Sequence, residues 1–319
     1  MSLARSVSDP QSGATSVGGD FSPPNAGRVE SPRAKDTARP DRTFLFSIDL
    51  EDVRSMIPDG DRFAERVPAN VERYLEFLQR HGAHCTFFTV GDIARRYPSL
   101  IREIVTAGHE IACHSSDHVP LDKHTRESFR EDLERCLEDL SRAGTKQVVG
   151  YRAPVASMTQ ETSWAYEILR ELGFTYSTSV IAARNPLYGW PSFGPDRARR
   201  MNGIWELPVS LSRLPMLNVP FVGGVYFRTL PLPLIDYLFR KRLSSGDPVT
   251  GYIHPYDIDT EQERFMHPEI NERRLLNWLL YRNRGDVFRR LEKLLQHDVA
   301  IVPFREYVES KLEPGAGRD

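Results

Sequence analysis

Cysteine is scarce in this sequence: Cys85, Cys113 and Cys136 are the only three in 319 residues, and no C-x-x-C pair occurs. An odd number without paired spacing argues against a disulfide framework and against a cysteine-based zinc site. All three sit among apolar residues and read as small core hydrophobes. Long apolar runs are missing as well. No stretch approaches the ~20 residues of a membrane span, and Leu230–Leu234 is broken by Pro231 and Pro233. Met1–Asp20 carries no apolar segment of the signal-peptide kind. A cytoplasmic protein without a transmembrane segment is therefore the expectation, with peripheral membrane contact left open. Neither sign of charge is in excess: the formal net charge is −2. The electrostatic footprint of nucleic-acid binding is thus absent, and no nucleic-acid partner is expected. The basic cluster Arg240-Lys241-Arg242 reads as the solvated end of a helix. No G-x-G-x-x-G follows the first apolar strand and there is no P-loop, which argues against the common nucleotide-binding sheets.

What is present is ordinary for a globular protein: 40% hydrophobic and 27% charged residues, in a chain long enough to bury a core without covalent staples. The first 40 residues differ from the rest. Ser, Gly and Pro fill 16 of them and Phe21 is their only aromatic. Such a segment buries too little apolar surface to offset its ordering entropy, so 1–40 reads as a disordered tail. Residues 313–319 read the same way, leaving one domain over 41–312.

From Thr43 onward, short apolar runs alternate with helical stripes. Phe44–Ile48 reads as a buried strand; Val71, Tyr74, Leu75 and Leu78 have helical spacing and stop at Gly82. Strands follow at 85–90, 110–113, 148–151 and 174–176. Helical stripes between them run through Ile101, Leu133 and Ile168, each ending at a glycine. Residues 182–230 are irregular, with strands expected at 205–207 and 225–227. The pattern resumes with a strand at 250–253, helices at 272–281 and 287–296, and a strand at 299–302. This order implies parallel strands with crossover helices, and a distorted (β/α) barrel of about seven parallel strands is the fold expected.

In such a barrel, functional residues lie at the C-terminal strand ends. Four ends carry polar groups that need explaining. Asp49-Leu50-Glu51-Asp52 crowds three carboxylates, as a cation site or as a capped turn. His114 and His118 lie four apart, able to reach one ion if the segment turns helically; exposed loop histidines are the bland alternative. The H-E at 109–110 misses the H-E-x-x-H spacing by one residue, which removes a zincin. Arg152 directly follows an apolar strand, placed to pair with a carboxylate at the mouth. His254 closes a later strand.

In this order and spacing, the four motifs resemble the polysaccharide deacetylase family, also called the NodB-homology domain or carbohydrate esterase family 4. The flanking Thr86-Phe87-Phe88, Ala107-Gly108-His109-Glu110-Ile111 and Tyr151-Arg152-Ala153-Pro154 are similar too. Asp-x-Glu-Asp, Gly223-Gly224-Val225-Tyr226-Phe227-Arg228 and Tyr252-Ile253-His254-Pro255-Tyr256 resemble its exosortase-associated branch, encoded with exopolysaccharide biosynthesis machinery. The resemblance implies a divalent ion, usually Zn2+, with Co2+, Ni2+ and Mn2+ as alternatives. It assigns His114 and His118 as ligands, with Asp52 preferred as the carboxylate ligand and Glu51 the alternative. It also implies Asp49 as general base, Arg152 as its orienting partner, His254 as general acid, and a backbone N–H of Tyr151 or Ala153 facing the oxyanion.

The implied reaction is removal of an N-acetyl group from an amino-sugar glycan, an exopolysaccharide precursor or a lipid-linked oligosaccharide. Tyr151, Pro154, Trp205 and Tyr226 are the expected substrate contacts. A deformylase or amidase on another C–N bond, and a catalytically silent glycan binder, are the competing readings. One departure bears on the last. Ser177 stands where the family commonly has the Asp that pairs with the general-acid His. A neutral partner lowers the pKa expected of His254, unless Asp257 or Asp259 substitutes.

Overall fold

The computed structural model describes residues 42–185, 187–215, 218–267 and 273–314. The expected tail at 1–40, residues 315–319 of the tail expected at 313–319, and residue 272 of an expected helix lie outside the described residues. Among the described residues, nine strands join in one sheet: β1 (Thr43–Leu50), β2 (Thr86–Thr89), β3 (Glu110–Cys113), β4 (Gly150–Tyr151), β5 (Tyr176–Ser177), β6 (Arg199–Met201), β7 (Ile204–Glu206), β8 (Val249–Ile253) and β9 (Ala300–Ile301). Their order is β6-β7-β5-β4-β3-β2-β1-β8, with β9 beside the first residues of β1. Every pairing is parallel except that of β6 with β7. The fold is the expected distorted (β/α) barrel, with the β6–β7 hairpin added at one edge.

Among the described residues, ten α-helices accompany the strands: α1 (Val67–Arg80), α2 (Gly91–Arg96), α3 (Pro98–Thr106), α4 (Arg126–Arg142), α5 (Ala165–Glu171), α6 (Gly224–Thr229), α7 (Leu232–Leu243), α8 (Arg274–Leu280), α9 (Val287–Leu295) and α10 (Phe304–Tyr307). The stripe Val71, Tyr74, Leu75 and Leu78 is buried as its spacing requires. α4 starts at a capping box between Thr125 and Ser128, a feature worth about 1 kcal/mol. Residues 225–227, expected as a strand, form α6 instead, because the segment turns at Gly223–Gly224. A Cβ on Gly223 would stand 2.6 Å from the Tyr252 ring. No described helix is long and apolar enough to cross a membrane.

Strand side chains alternate between two faces. Phe44, Phe46 and Ile48 of β1 enter the large core beneath the helices, whereas Leu45 enters a smaller inner core with Phe88, Ala112, Tyr176 and Phe304. The inner face of β1 therefore continues from Leu45 through Ser47 to Asp49. The same parity carries Ala112 on to His114. Where the β7 side of the sheet faces β8, side chains tie the gap. The Ser210 amide donates to Thr250 Oγ1 at 2.7 Å, and the Thr250 amide donates to Ser210 Oγ at 2.9 Å. Glu313, expected in a disordered tail, instead accepts a hydrogen bond from Trp205 Nε1 at 2.9 Å. The three cysteines are free and buried, as expected of core residues.

Candidate active site

Asp49 and Arg152 meet inside the barrel mouth, both buried, with Arg152 Nη1 donating to Asp49 Oδ1. The guanidinium is fixed from several sides. Nη1 also donates to Ser47 Oγ at 2.7 Å, Nε donates to the Thr178 carbonyl at 3.1 Å, and the group lies 4.0 Å over the Phe88 ring centroid. A charge-assisted contact held this way orients one carboxylate rather than merely neutralising it.

The histidine pair is built differently from expectation. Residues 114–118 do not form a helical turn; Ser115 (φ 70°) and His118 (φ 56°) are left-handed. Asp132 of α4 holds this loop, accepting from Ser115 Oγ at 2.8 Å and from the Ser116 amide at 2.9 Å. The two imidazoles end edge to face, 4.9 Å between centroids. His114 Nδ1 hydrogen-bonds the Arg152 carbonyl at 2.8 Å. A carbonyl only accepts, so the proton is on Nδ1 and the lone pair on Nε2 faces the site.

The carboxylate that joins them is Glu51. Its Oε2 lies 2.6 Å from His118 Nε2 and 3.9 Å from His114 Nε2, while Tyr256 Oη donates to Oε1 at 3.3 Å. Asp52, the preferred choice from sequence, points elsewhere. It accepts from Arg54 Nη2 at 2.7 Å and Arg96 Nη1 at 3.1 Å, and it caps the following turn through the Arg54 amide. The turn after β1 explains the reversal: the Glu51 amide donates to the Asp49 carbonyl at 3.1 Å, and past this turn Glu51 meets the histidines while Asp52 meets Arg54 and Arg96. Ligand atoms of Glu51, His114 and His118 lie within 4.8 Å of one another. One carboxylate oxygen and two imidazole nitrogens, buried and with one ring already oriented, fit a divalent ion of the zinc type. Burial pushes the His114 pKa down to about 4, keeping the ring neutral for ligation at neutral pH. Burial works to raise Glu51, but His118 beside it, together with His254 and His114, outweighs that and holds the carboxyl well below its usual range.

His254 follows β8 into the same pocket. Ser177 does not reach it; Ser177 Oγ pairs with Ser179 Oγ at 2.8 Å. Asp257 takes the place instead, with Oδ2 2.9 Å from His254 Nδ1 and 2.8 Å from the His254 amide. Behind it, the fully buried Arg228 brings Nε within 2.8 Å of Asp257 Oδ1 and donates Nη1 to the Leu280 and Arg282 carbonyls at 2.9 Å. Asp259 is held away by Arg66 and Asn70. Burial opposes a charge on His254, yet Asp257, then Glu51 and Asp49, raise its pKa to about 9. The lowered value expected from Ser177 is therefore overturned.

These groups line one cavity of about 340 Å³. Of the expected substrate contacts, Tyr226 lines it. Tyr151 does not: because Arg152 faces inward, Tyr151 faces outward and packs on Phe129 and Phe174. Pro154 is buried behind Val155 and Ala156, which do line the cavity. Trp205 packs beside the inner core and is tied to Glu313. The Ala153 amide, considered for an oxyanion, donates to Ser179 Oγ at 2.8 Å. Arg228 and Tyr256 stand in the quoted motifs without an expected role, and His267 in none; their approach to the cavity depends on how 223–229 and 255–267 pack.

Residues 56–177 match the polysaccharide deacetylase family, and residues 178–309 match a domain of unknown function, DUF3473. A chitooligosaccharide deacetylase of Azorhizobium caulinodans is 31% identical over 105 residues, 32% of this chain and 46% of that protein. Peptidoglycan deacetylase-like protein FGM2 of Gibberella zeae is 28% identical over 196 residues, 56% of each chain. The chain thus spans about half the length of these relatives. A crystal structure from Mycobacterium smegmatis, provisionally named a polysaccharide deacetylase, shares the fold with TM-score 0.55 and 22% identity, covering 85% of this chain and 91% of the other. The two matched segments share one sheet and one cavity here, and the polysaccharide deacetylase match holds for residues 56–177 of the chain.

Proposed function

We propose that this chain is a metal-dependent hydrolase that removes N-acetyl groups from an amino-sugar glycan, an exopolysaccharide precursor being the substrate class in view. The observation that carries the reading is the convergence of three sets in one cavity: Glu51 with His114 and His118, Asp49 clamped by Arg152, and His254 backed by Asp257. The names of the two relatives point the same way.

A divalent ion held by Glu51, His114 and His118 supplies Lewis acidity for amide hydrolysis. Asp49 takes a proton as water adds to the acetamide carbon, and Arg152 keeps its carboxylate aimed at that water. The C–N bond then breaks, and His254 delivers a proton from Nε2 to the departing amine, since Nδ1 is engaged by Asp257. Acetate and a free amino sugar result. A silent binder needs no such base and acid, and its one ground, the neutral Ser177, is removed by Asp257.

Incubation of zinc-reconstituted protein with an N-acetylglucosamine oligomer releases acetate on this reading, and a chelator stops the release. Quantifying formate alongside separates the deformylase alternative. Tight metal binding without release of either acid from acylated glycans overturns the reading.

The ligand assignment has its own test in metal titrations. Glu51→Gln weakens zinc affinity by about 100-fold or more, at or beyond the upper end for losing an outer partner. Asp52→Asn leaves affinity nearly unchanged and lowers the melting temperature, because Arg54 and Arg96 lose their shared buried anion. The reverse pattern returns the ligand role to Asp52.

A further inference from the structure

Helix α8 is apolar yet buries none of its residues. Its orientation is fixed by polar ties to the preceding segment. Asn277 Nδ2 donates to the Phe265 carbonyl at 3.0 Å and Asn277 Oδ1 accepts from the His267 amide at 3.0 Å. Tyr281 Oη, one turn on, accepts from the Phe265 amide at 3.1 Å. With 277 and 281 turned inward, helical spacing divides the remaining residues between two faces. Arg273, Leu276, Leu279 and Leu280 border the cavity. Leu275 and Trp278 face outward, 71% and 47% exposed, with Met266 nearby at 38%.

Arginines surround this outward face. Arg264, Arg273, Arg274 and Arg282 are all exposed, and the Arg282 guanidinium lies 4.6 Å from the Trp278 ring centroid. Among the described residues from 264 to 285 there is no Asp or Glu; Glu269 and Glu272 of that stretch lie outside them. Two copies of such a face would bring like charges together. An anionic lipid surface meets both of its features: apolar side chains enter the acyl boundary, tryptophan sits at the headgroup level, and arginines meet lipid phosphates.

We propose that the outward face of α8 docks on an anionic bilayer and seats the cavity mouth against it. The continuity of that face with the cavity wall through Leu276 and Leu279 makes the placement productive: a glycan carried on a lipid anchor would reach His254 and Glu51 from the membrane side. The docking itself does not depend on the hydrolase reading, and its test uses no activity.

The experiment is co-sedimentation of the full chain with vesicles of phosphatidylcholine, with or without about one-third phosphatidylglycerol. Binding is expected to the anionic vesicles, falling with salt. The Leu275→Ser/Trp278→Ser protein is expected to bind at least about tenfold more weakly, and Arg274→Gln/Arg282→Gln to lose most of the salt dependence. Both variants change only exposed side chains, and unchanged melting temperatures confirm that they are folded. Absence of binding to anionic vesicles overturns the proposal, as does binding that the apolar pair does not alter. A concentration-dependent dimer that the same pair abolishes overturns it in favour of a second copy.

Discussion

The Asp49→Asn protein keeps its zinc affinity and loses deacetylation by about 10²–10⁴-fold, the range a positioned general base contributes. Asparagine has the same shape but cannot accept the proton that the attacking water must lose. Arg152 retains Ser47 Oγ, the Thr178 carbonyl and the Phe88 face, so the guanidinium stays in place. Its own charge is then less well compensated, and breaking a buried pair costs up to about 3–5 kcal/mol. A melting curve and a zinc titration therefore accompany the kinetics. A folded, metal-binding Asp49→Asn protein with undiminished acetate release would remove Asp49 from the chemistry. The expected signature is a fall in kcat with KM little changed, since Asp49 acts on water rather than on the sugar.

Asp257→Asn carries the second large effect, through His254. The protonated imidazole is the acid, and it is present below its folded pKa of about 9 and lost as pH rises through that value. Positive charge bound beside Glu51 offsets part of the carboxylate field that His254 feels, so the alkaline limb of kcat falls at or below pH 9. Removing the Asp257 charge takes away the strongest cause of the raised pKa. The limb then moves to lower pH by about 1–3 units, and kcat at neutral pH drops by about 10–100-fold, within the range general-acid catalysis supplies. Asp257→Glu restores part of the limb's position. Activity lost equally at every pH, with the limb unmoved, would show that Asp257 serves only packing. Stability also falls in Asp257→Asn because Arg228, wholly buried, loses its ion-pair partner.

Much of this site was legible because strand parity and motif order are local properties. Asp49, His114, Arg152 and His254 each follow an apolar strand, and each lies in the cavity. The errors have physical causes of the same kind. The resemblance prefers Asp52 over Glu51, whereas the turn that follows Leu50 sends Glu51 to the histidines and Asp52 to the arginines. Tyr151 fails by strand parity once Arg152 is placed inside. Trp205 is an aromatic on a strand, but its neighbour is Glu313, more than a hundred residues away, and no local pattern reports that. The partner of His254 was undecidable between Asp257 and Asp259, because only the turn at 255–258 and the buried Arg228 determine which carboxylate bends back. Residues 225–227 read as a strand from composition, and the close approach of Gly223 to Tyr252 makes them a helix.

Arg152 acts from both of its ends. The guanidinium orients Asp49, while the carbonyl fixes the tautomer of His114. The first of these is inscribed in a side chain and a single substitution can erase it. The second is inscribed in the main chain, where no substitution of the side chain can reach it. Scanning the position with alanine would thus sample only its dealings with the base, and a protein crippled at Arg152 could still present His114 ready to bind an ion. On the proposed reading, a lineage that lost the Arg152 side chain would keep the His114 tautomer through the peptide backbone, and with Glu51, His114 and His118 retained it would be a metal-bearing binder.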